Sequence, residues 1–183
     1  MSLEPDLKTI IIEEDIVKIK PEEEEFTLKS GKKSRFFFDV KEASLNPDIL
    51  TRIVEEIELK KGHYIEQNFD SIASVAVGGV PLGTALSLKL FMPQIIVRSE
   101  KHESGIKLKI IGKCKNKTIL IIEDVATTGG SIVKAVKDIR EAGGICNTCI
   151  VVIDREEGAE KLCEYNGIKL YSLLKKSDFG NIL

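Results

Sequence analysis

Residues 119–131 read Ile119-Leu120-Ile121-Ile122-Glu123-Asp124-Val125-Ala126-Thr127-Thr128-Gly129-Gly130-Ser131. Four apolar residues run into two adjacent acids, and a turn rich in Thr and Gly follows. An uninterrupted apolar run of this kind marks a strand buried on both faces, Thr118 to Ile122. Ser131 to Ala142 then carries Ile132, Ala135, Val136 and Ile139 at helical spacing, and Gly143-Gly144 stops it. The same alternation extends both ways. Upstream come a strand at Ser71 to Val77, a turn at Gly78 to Pro81, a helix at Leu82 to Phe91 and a strand at Gln94 to Arg98. Downstream come a strand at Thr148 to Ile153, a helix at Glu156 to Asn166 and a strand at Lys169 to Leu173. Apolar strands alternating with helices predict a doubly wound α/β fold, with a mainly parallel sheet flanked by helices. Ligands of such a sheet sit beyond the carboxyl ends of its strands.

The N-terminal part is less regular. Leu7 to Ile19 fits a short helix or an edge strand, and Glu22 to Glu25 is a solvated acidic run. FTLKSGKKSRFFFDV, from Phe26, reads as an extended hairpin with SGKK as its turn. Phe36, Phe37 and Phe38 cannot all point to one side of a strand, so at least one belongs to the core. A helix is predicted over Pro47 to Leu59. We divide the chain into an N-terminal segment with a small hairpin hood, 1–45, and a core, 46–183, within one compact domain.

Composition narrows the function. The 183 residues are 43% hydrophobic and 31% charged, which excludes a disordered chain and a disulfide-dense miniprotein. Twenty-seven basic against 29 acidic residues give a net charge of -2, so a nucleic-acid partner is not expected. No membrane span or secretory leader is expected either, and we read a cytoplasmic protein with reduced thiols. Cys146 and Cys149 form a CxxC. No second pair or nearby His completes a zinc site, and positions three apart on a strand face opposite sides, so we read them as structural.

The chemistry lies in the strand–turn–helix unit. Thr127, Thr128 and Ser131 offer hydroxyl donors, and Gly129 and Gly130 let backbone amides approach a ligand closely. The helix behind them supplies unpaired N–H groups and a positive dipole end. Together they suit one phosphate. Glu123 and Asp124 can accept hydrogen bonds from sugar hydroxyls, so the unit suits a phosphorylated ribose. Neither a GxxxxGK[ST] loop nor a GxGxxG fingerprint occurs.

ILIIEDVATTGGS resembles the phosphoribosyl-pyrophosphate (PRPP) motif of the type I phosphoribosyltransferases. FTLKSGKKSRFFFDV, VAVGGVPLGTALSL and VIDREEGA resemble further segments of the orotate phosphoribosyltransferases, in that family's order, from Phe26 to Leu173. The resemblance implies that Glu123 and Asp124 hold the ribose hydroxyls. It implies a cradle of Ala126, Thr127, Thr128, Gly129, Gly130 and Ser131 for the 5-phosphate, with Gly78 and Gly79 beside the pyrophosphate. Lys29, Phe37, Phe38, Thr127 and Arg155 would contact orotate, Arg155 through its carboxylate. Arg98 would contact the pyrophosphate. The family also implies Mg2+ bound mainly through PRPP, and a homodimer whose loop, here 99–111, reaches the neighbouring site.

Two segments depart from the family pattern. The loop RKExKxHG is here Arg98-Ser99-Glu100-Lys101-His102-Glu103-Ser104-Gly105, so His102 falls where the family has its catalytic Lys and Lys101 stands one place early. Lys101 and His102 are the candidates for that role, with Lys107 and Lys109 as further cations. Arg35 replaces a hairpin Pro. The altered loop leaves two alternatives open: a non-catalytic PRPP or nucleotide sensor on the same fold, or a phosphoribosyltransferase for another base.

Overall fold

The computed structural model describes residues 6–21, 23–27, 33–98 and 109–180. The segment Leu7 to Ile19, read as a short helix or an edge strand, holds one of each: helix α1 (Leu7–Glu13) and strand β1 (Val17–Ile19). Asp6 caps α1 by accepting from Thr9 N at 2.8 Å. The hairpin is shorter than predicted. Strand β2 (Phe26–Thr27) pairs with β3 (Lys33–Ser34), but β4 (Phe36–Phe38) pairs with β1 instead. Arg35 makes the break: its Nε donates to Lys20 O at 3.0 Å, and its carbonyl accepts from Lys20 N at 2.9 Å. Helix α2 (Val40–Ala43) follows, capped by Asp39. Helix α3 (Pro47–Asn68) begins at the predicted Pro and runs past Leu59. Its buried face of Ile49, Ile53, Val54 and Ile57 resumes at Gly62 and Ile65, so packing extends it through polar sequence.

The alternating part continues as β5 (Ser71–Val75), α4 (Gly79–Lys89), β6 (Gln94–Val97), β7 (Ile110–Ile111), β8 (Thr118–Ala126), α5 (Gly130–Glu141), β9 (Ile145–Asp154), α6 (Ala159–Tyr165) and β10 (Lys169–Lys175). A 3-10 turn, Lys176–Phe179, closes it. The sheet order is β10-β9-β8-β5-β6-β7, parallel except for β7. Each sheet face has its own core. One packs Ile72, Leu120 and Ile122 with Ile53, Leu82, Leu86 and Ile11. The other packs Ala73, Ile119 and Ile121 with Val136, Ile139 and Cys163. Alternating side chains of buried strands serve the two faces in turn. The expected doubly wound α/β architecture is present.

Strand β8 continues through the acids to Ala126, beyond the predicted end at Ile122, because β9 pairs with it as far as Ala126↔Asp154. Strand β9 also corrects the expected placement of the CxxC. Thr118 pairs with Ile145 but Leu120 with Thr148, so β9 carries an extra residue there. The bulge resets the alternation, and Cys146 and Cys149 enter the same core, with Cys114 and Cys163. All four thiols are free and buried. Burial pushes Cys146 up to about 12 and Cys163 up to about 11, so neither is a ready nucleophile.

Phe179 is 1% exposed and meets Phe38 edge-on at 5.7 Å. Phe179→Ala is expected to lower the unfolding free energy by about 3–5 kcal/mol in urea denaturation. A loss below about 1 kcal/mol would show that the C-terminal turn is not part of the core.

Candidate active site

Strands β5, β8 and β9 are neighbours and parallel, so the segments leaving them meet at one edge of the sheet. The turn after β8 leads into α5, and no side chain caps that helix. Its first amides are therefore available to an anion. Gly129 has φ +81, and a Cβ there would lie 3.1 Å from backbone atoms of Ala159. Only glycine allows both that conformation and that approach to α6. Thr127, Thr128, Gly130 and Ser131 flank it.

Gly78 and Gly79 lie against the two acids. A Cβ on Gly78 would overlap the Asp124 carboxylate, and one on Gly79 would sit 2.6 Å from Ile122 O. The turn between β5 and α4 is thus pressed onto the end of β8, and its Ala76–Val77 peptide is cis. Glu123 and Asp124 are 5% and 6% exposed. Glu123 Oε2 is buried and has no hydrogen-bond partner. Burial, then the Asp124 carboxylate through hydrogen bonding and charge, raises the Glu123 carboxyl well above its ordinary 4.5, with Lys41 acting weakly the other way.

Arg155 follows β9, and its backbone N donates to Ala126 O at 2.9 Å. That bond ties it to the start of the 126–131 turn. Its side chain is 11% exposed, with Glu157 Oε1 2.8 Å from Nη2. Nε and Nη2 are nevertheless buried without an aligned acceptor. They form one edge of the guanidinium, the edge that grips a planar carboxylate with two parallel bonds. Phe38 lies 5.8 Å from the guanidinium carbon. Phe36 stacks beside Phe38 at 6.2 Å, and Lys176 covers Phe36 at 5.4 Å. Glu156, at φ +56, receives Ser177 N at 2.7 Å and Ser177 Oγ at 3.1 Å. The C-terminal turn is thereby bolted behind the aromatic pair.

The geometry brings together the turn 126–131, Glu123, Asp124, Gly78, Gly79 and Arg155, with Phe38 beside the last. Phe37 is separated from Phe38 by strand alternation and rests on Phe26 at 5.7 Å, under the hood rather than against Arg155. Arg98 follows β6 on the far side of β5, and its N donates to Lys109 O at 2.8 Å. Lys109 is not a spare cation: its Nζ binds Asp138 at 2.8 Å and Glu141 at 3.6 Å on α5. Lys29, Lys101, His102 and Lys107 lie outside the described residues. Sequence reasoning missed Glu156, Glu157, Lys176 and Phe179 as neighbours of the site. The acid pair directly after Arg155 was the available signal.

A sheet edge with an uncapped helix start, two adjacent buried acids and an arginine whose Nε–Nη2 edge lacks an aligned acceptor suits phosphorylated-sugar chemistry. The comparisons agree. The phosphoribosyl transferase domain model matches residues 44–173. The orotate phosphoribosyltransferase of Methanocorpusculum labreanum is 41% identical over 154 residues, 84% of this chain and 88% of that one. That of Pyrococcus horikoshii is 39% identical over 179 residues, 97% and 94%. The crystal structure of orotate phosphoribosyltransferase from Aeropyrum pernix superposes with a TM-score of 0.83 at 25% identity, covering 96% of this chain and 97% of that one. The chain belongs to the phosphoribosyl transferase family and, within it, to the orotate phosphoribosyltransferases.

Two outcomes follow. Gly78→Ala should displace Asp124 and raise the KM for PRPP at least tenfold with little change in Tm; an unchanged KM would contradict the packing of this turn on the acids. Glu123→Gln should stabilise the free protein at neutral pH. The folded carboxyl binds its proton more tightly than the unfolded one, so stability falls as pH rises from 4.5 through the raised folded value. The variant's Tm advantage should be present at pH 7 and shrink towards pH 4.5, while its KM for PRPP rises. A lower Tm at pH 7 would contradict the assignment.

Proposed function

We propose that this chain transfers the 5-phosphoribosyl group of PRPP to orotate, giving orotidine 5-monophosphate and pyrophosphate, in de novo pyrimidine (UMP) biosynthesis. The carrying observation is the buried Nε–Nη2 edge of Arg155, which has Glu157 at 2.8 Å but no aligned hydrogen bond and is tethered through Ala126 to the 126–131 turn. A base with a planar carboxylate meets that edge with two acceptors and the opposite charge, whereas a neutral purine offers at most the acceptors. Thr127 to Ser131 and the α5 amides hold the 5-phosphate, and Glu123 and Asp124 accept from the ribose hydroxyls. The anomeric carbon then lies between the Gly78-Gly79 turn and the base. A ring nitrogen of orotate forms its bond to that carbon as the bond to pyrophosphate oxygen breaks, and the nitrogen's proton passes to water. No protein nucleophile is required; catalysis is positioning and stabilisation of separating charge.

Two adjacent carboxylates, one with a buried free oxygen, fit a hydrated Mg2+ carried on polyphosphate. When bound, Mg2+ would offset the charge of the departing pyrophosphate. Lys101, His102 and Arg98 are the proposed cations for the same task, and Lys29 and Phe37 are the proposed further contacts to the base. We propose a homodimer in which the segment 99–111 serves the neighbouring site. Its last residues stay at home, since Ile110 and Ile111 pair with β6. Val77, Leu88 and Phe91, 78%, 73% and 96% exposed, stand in α4 and its flanks, and we assign them to a face covered by the second copy. A cytoplasmic location follows from the family; among the described residues no helix is long and apolar enough to cross a membrane.

The test is steady-state turnover of orotate with PRPP and Mg2+, read by ultraviolet absorbance. Arg155→Gln should raise the orotate KM about tenfold or more, as expected for loss of a charge-assisted bidentate contact, and leave the PRPP KM nearly unchanged. Equal effects on both substrates would contradict the assignment of Arg155 to the base.

A further inference from the structure

Arg155 is followed by two acids with different work. Glu156 is committed to the C-terminal turn through Ser177. Glu157 faces the guanidinium. Its Oε1 is 2.8 Å from Nη2, and the two side chains are 18% and 11% exposed. The contact is close in distance but not aligned as a hydrogen bond, so Nε and Nη2 both keep their donor capacity. Phe38 covers the guanidinium at 5.8 Å. Glu157 therefore neutralises Arg155 without occupying its two-donor edge well.

We propose that Glu157 is an internal counter-ion that competes with the substrate carboxylate for Arg155 and thereby sets base specificity. The inference rests on the reading of Arg155 as the orotate contact. A nearly buried guanidinium with no anion is costly, so the free protein needs Glu157 in place. A base that brings its own carboxylate releases Glu157 towards solvent, keeps Arg155 neutralised and gains two aligned N–H···O bonds. A base without a carboxylate displaces Glu157 only by stranding Arg155. Selectivity is then the difference between these two exchanges.

Glu157→Gln keeps the side-chain size and removes the competing charge. The orotate KM should fall roughly fivefold, the order of a partly exposed ion pair, with the PRPP KM at the wild-type value as the check on folding. Competitive inhibition by uracil, which lacks the carboxylate, should not strengthen. The sign is diagnostic, because a merely structural Glu157 would raise the orotate KM when altered. An orotate KM unchanged or raised overturns the proposal, as does uracil binding that tightens in parallel. Arg155→Gln, measured alongside, separates the two readings. If it leaves the orotate KM unchanged, the assignment of Arg155 fails and takes this inference with it. If it raises that KM while Glu157→Gln does not lower it, only the counter-ion fails.

Discussion

Burying Glu123 beside Asp124 costs solvation energy that the Asp124 amide and Lys41 return only in part. One oxygen of Glu123 has no partner, and the neighbouring carboxylate makes ionisation harder still. The rest of the sheet edge is arranged around that cost. Strand β8 stays paired with β9 to Ala126, which holds both acids rigid at the strand end. The Gly78-Gly79 turn closes over Asp124 with no room for a Cβ. A core able to bear this expense is supplied by two apolar faces, one under α3 and α4 and one under α5 and α6. In the proposed reading, ribose hydroxyls, which donate to carboxylates, supply the missing partners when substrate binds.

Arg155 repeats the logic with opposite charge. Its Nε and Nη2 are buried and unaligned, its flank is an aromatic ring, and its nearest anion is Glu157. The elements that keep it so come from both ends of the chain. Strand β4 brings Phe38, and the C-terminal turn brings Phe179 and Lys176 behind it. Free-state dissatisfaction of both signs, positioned by a rigid sheet, is what a site for an anionic sugar phosphate and an anionic base requires.

The alternation of apolar runs with helical periods from Ser71 onward was readable, because a sheet buried on both faces demands continuous apolar strands. The phosphate turn was readable for a similar reason: Gly129 is required by its backbone angle and by its contact with Ala159. Other features depend on contacts remote in sequence. Nothing local shows that α3 continues past Leu59, since Gly62 and Ile65 are buried only because neighbouring elements cover them. The β9 bulge that puts Cys146 and Cys149 on one side is visible only against β8. The split of FTLKSGKKSRFFFDV between two partners rests on Arg35 reaching Lys20. Glu157 carried a local signal, but its role needed the distance to Arg155.

The most direct test of this arrangement is a crystal structure of the protein with orotidine 5-monophosphate. The account predicts the phosphate on the 127–131 turn, the ribose hydroxyls on Glu123 and Asp124, and the base carboxylate on Arg155 Nε and Nη2 with Glu157 turned away. A nucleotide bound with its carboxylate elsewhere, and Arg155 still paired to Glu157, would contradict it.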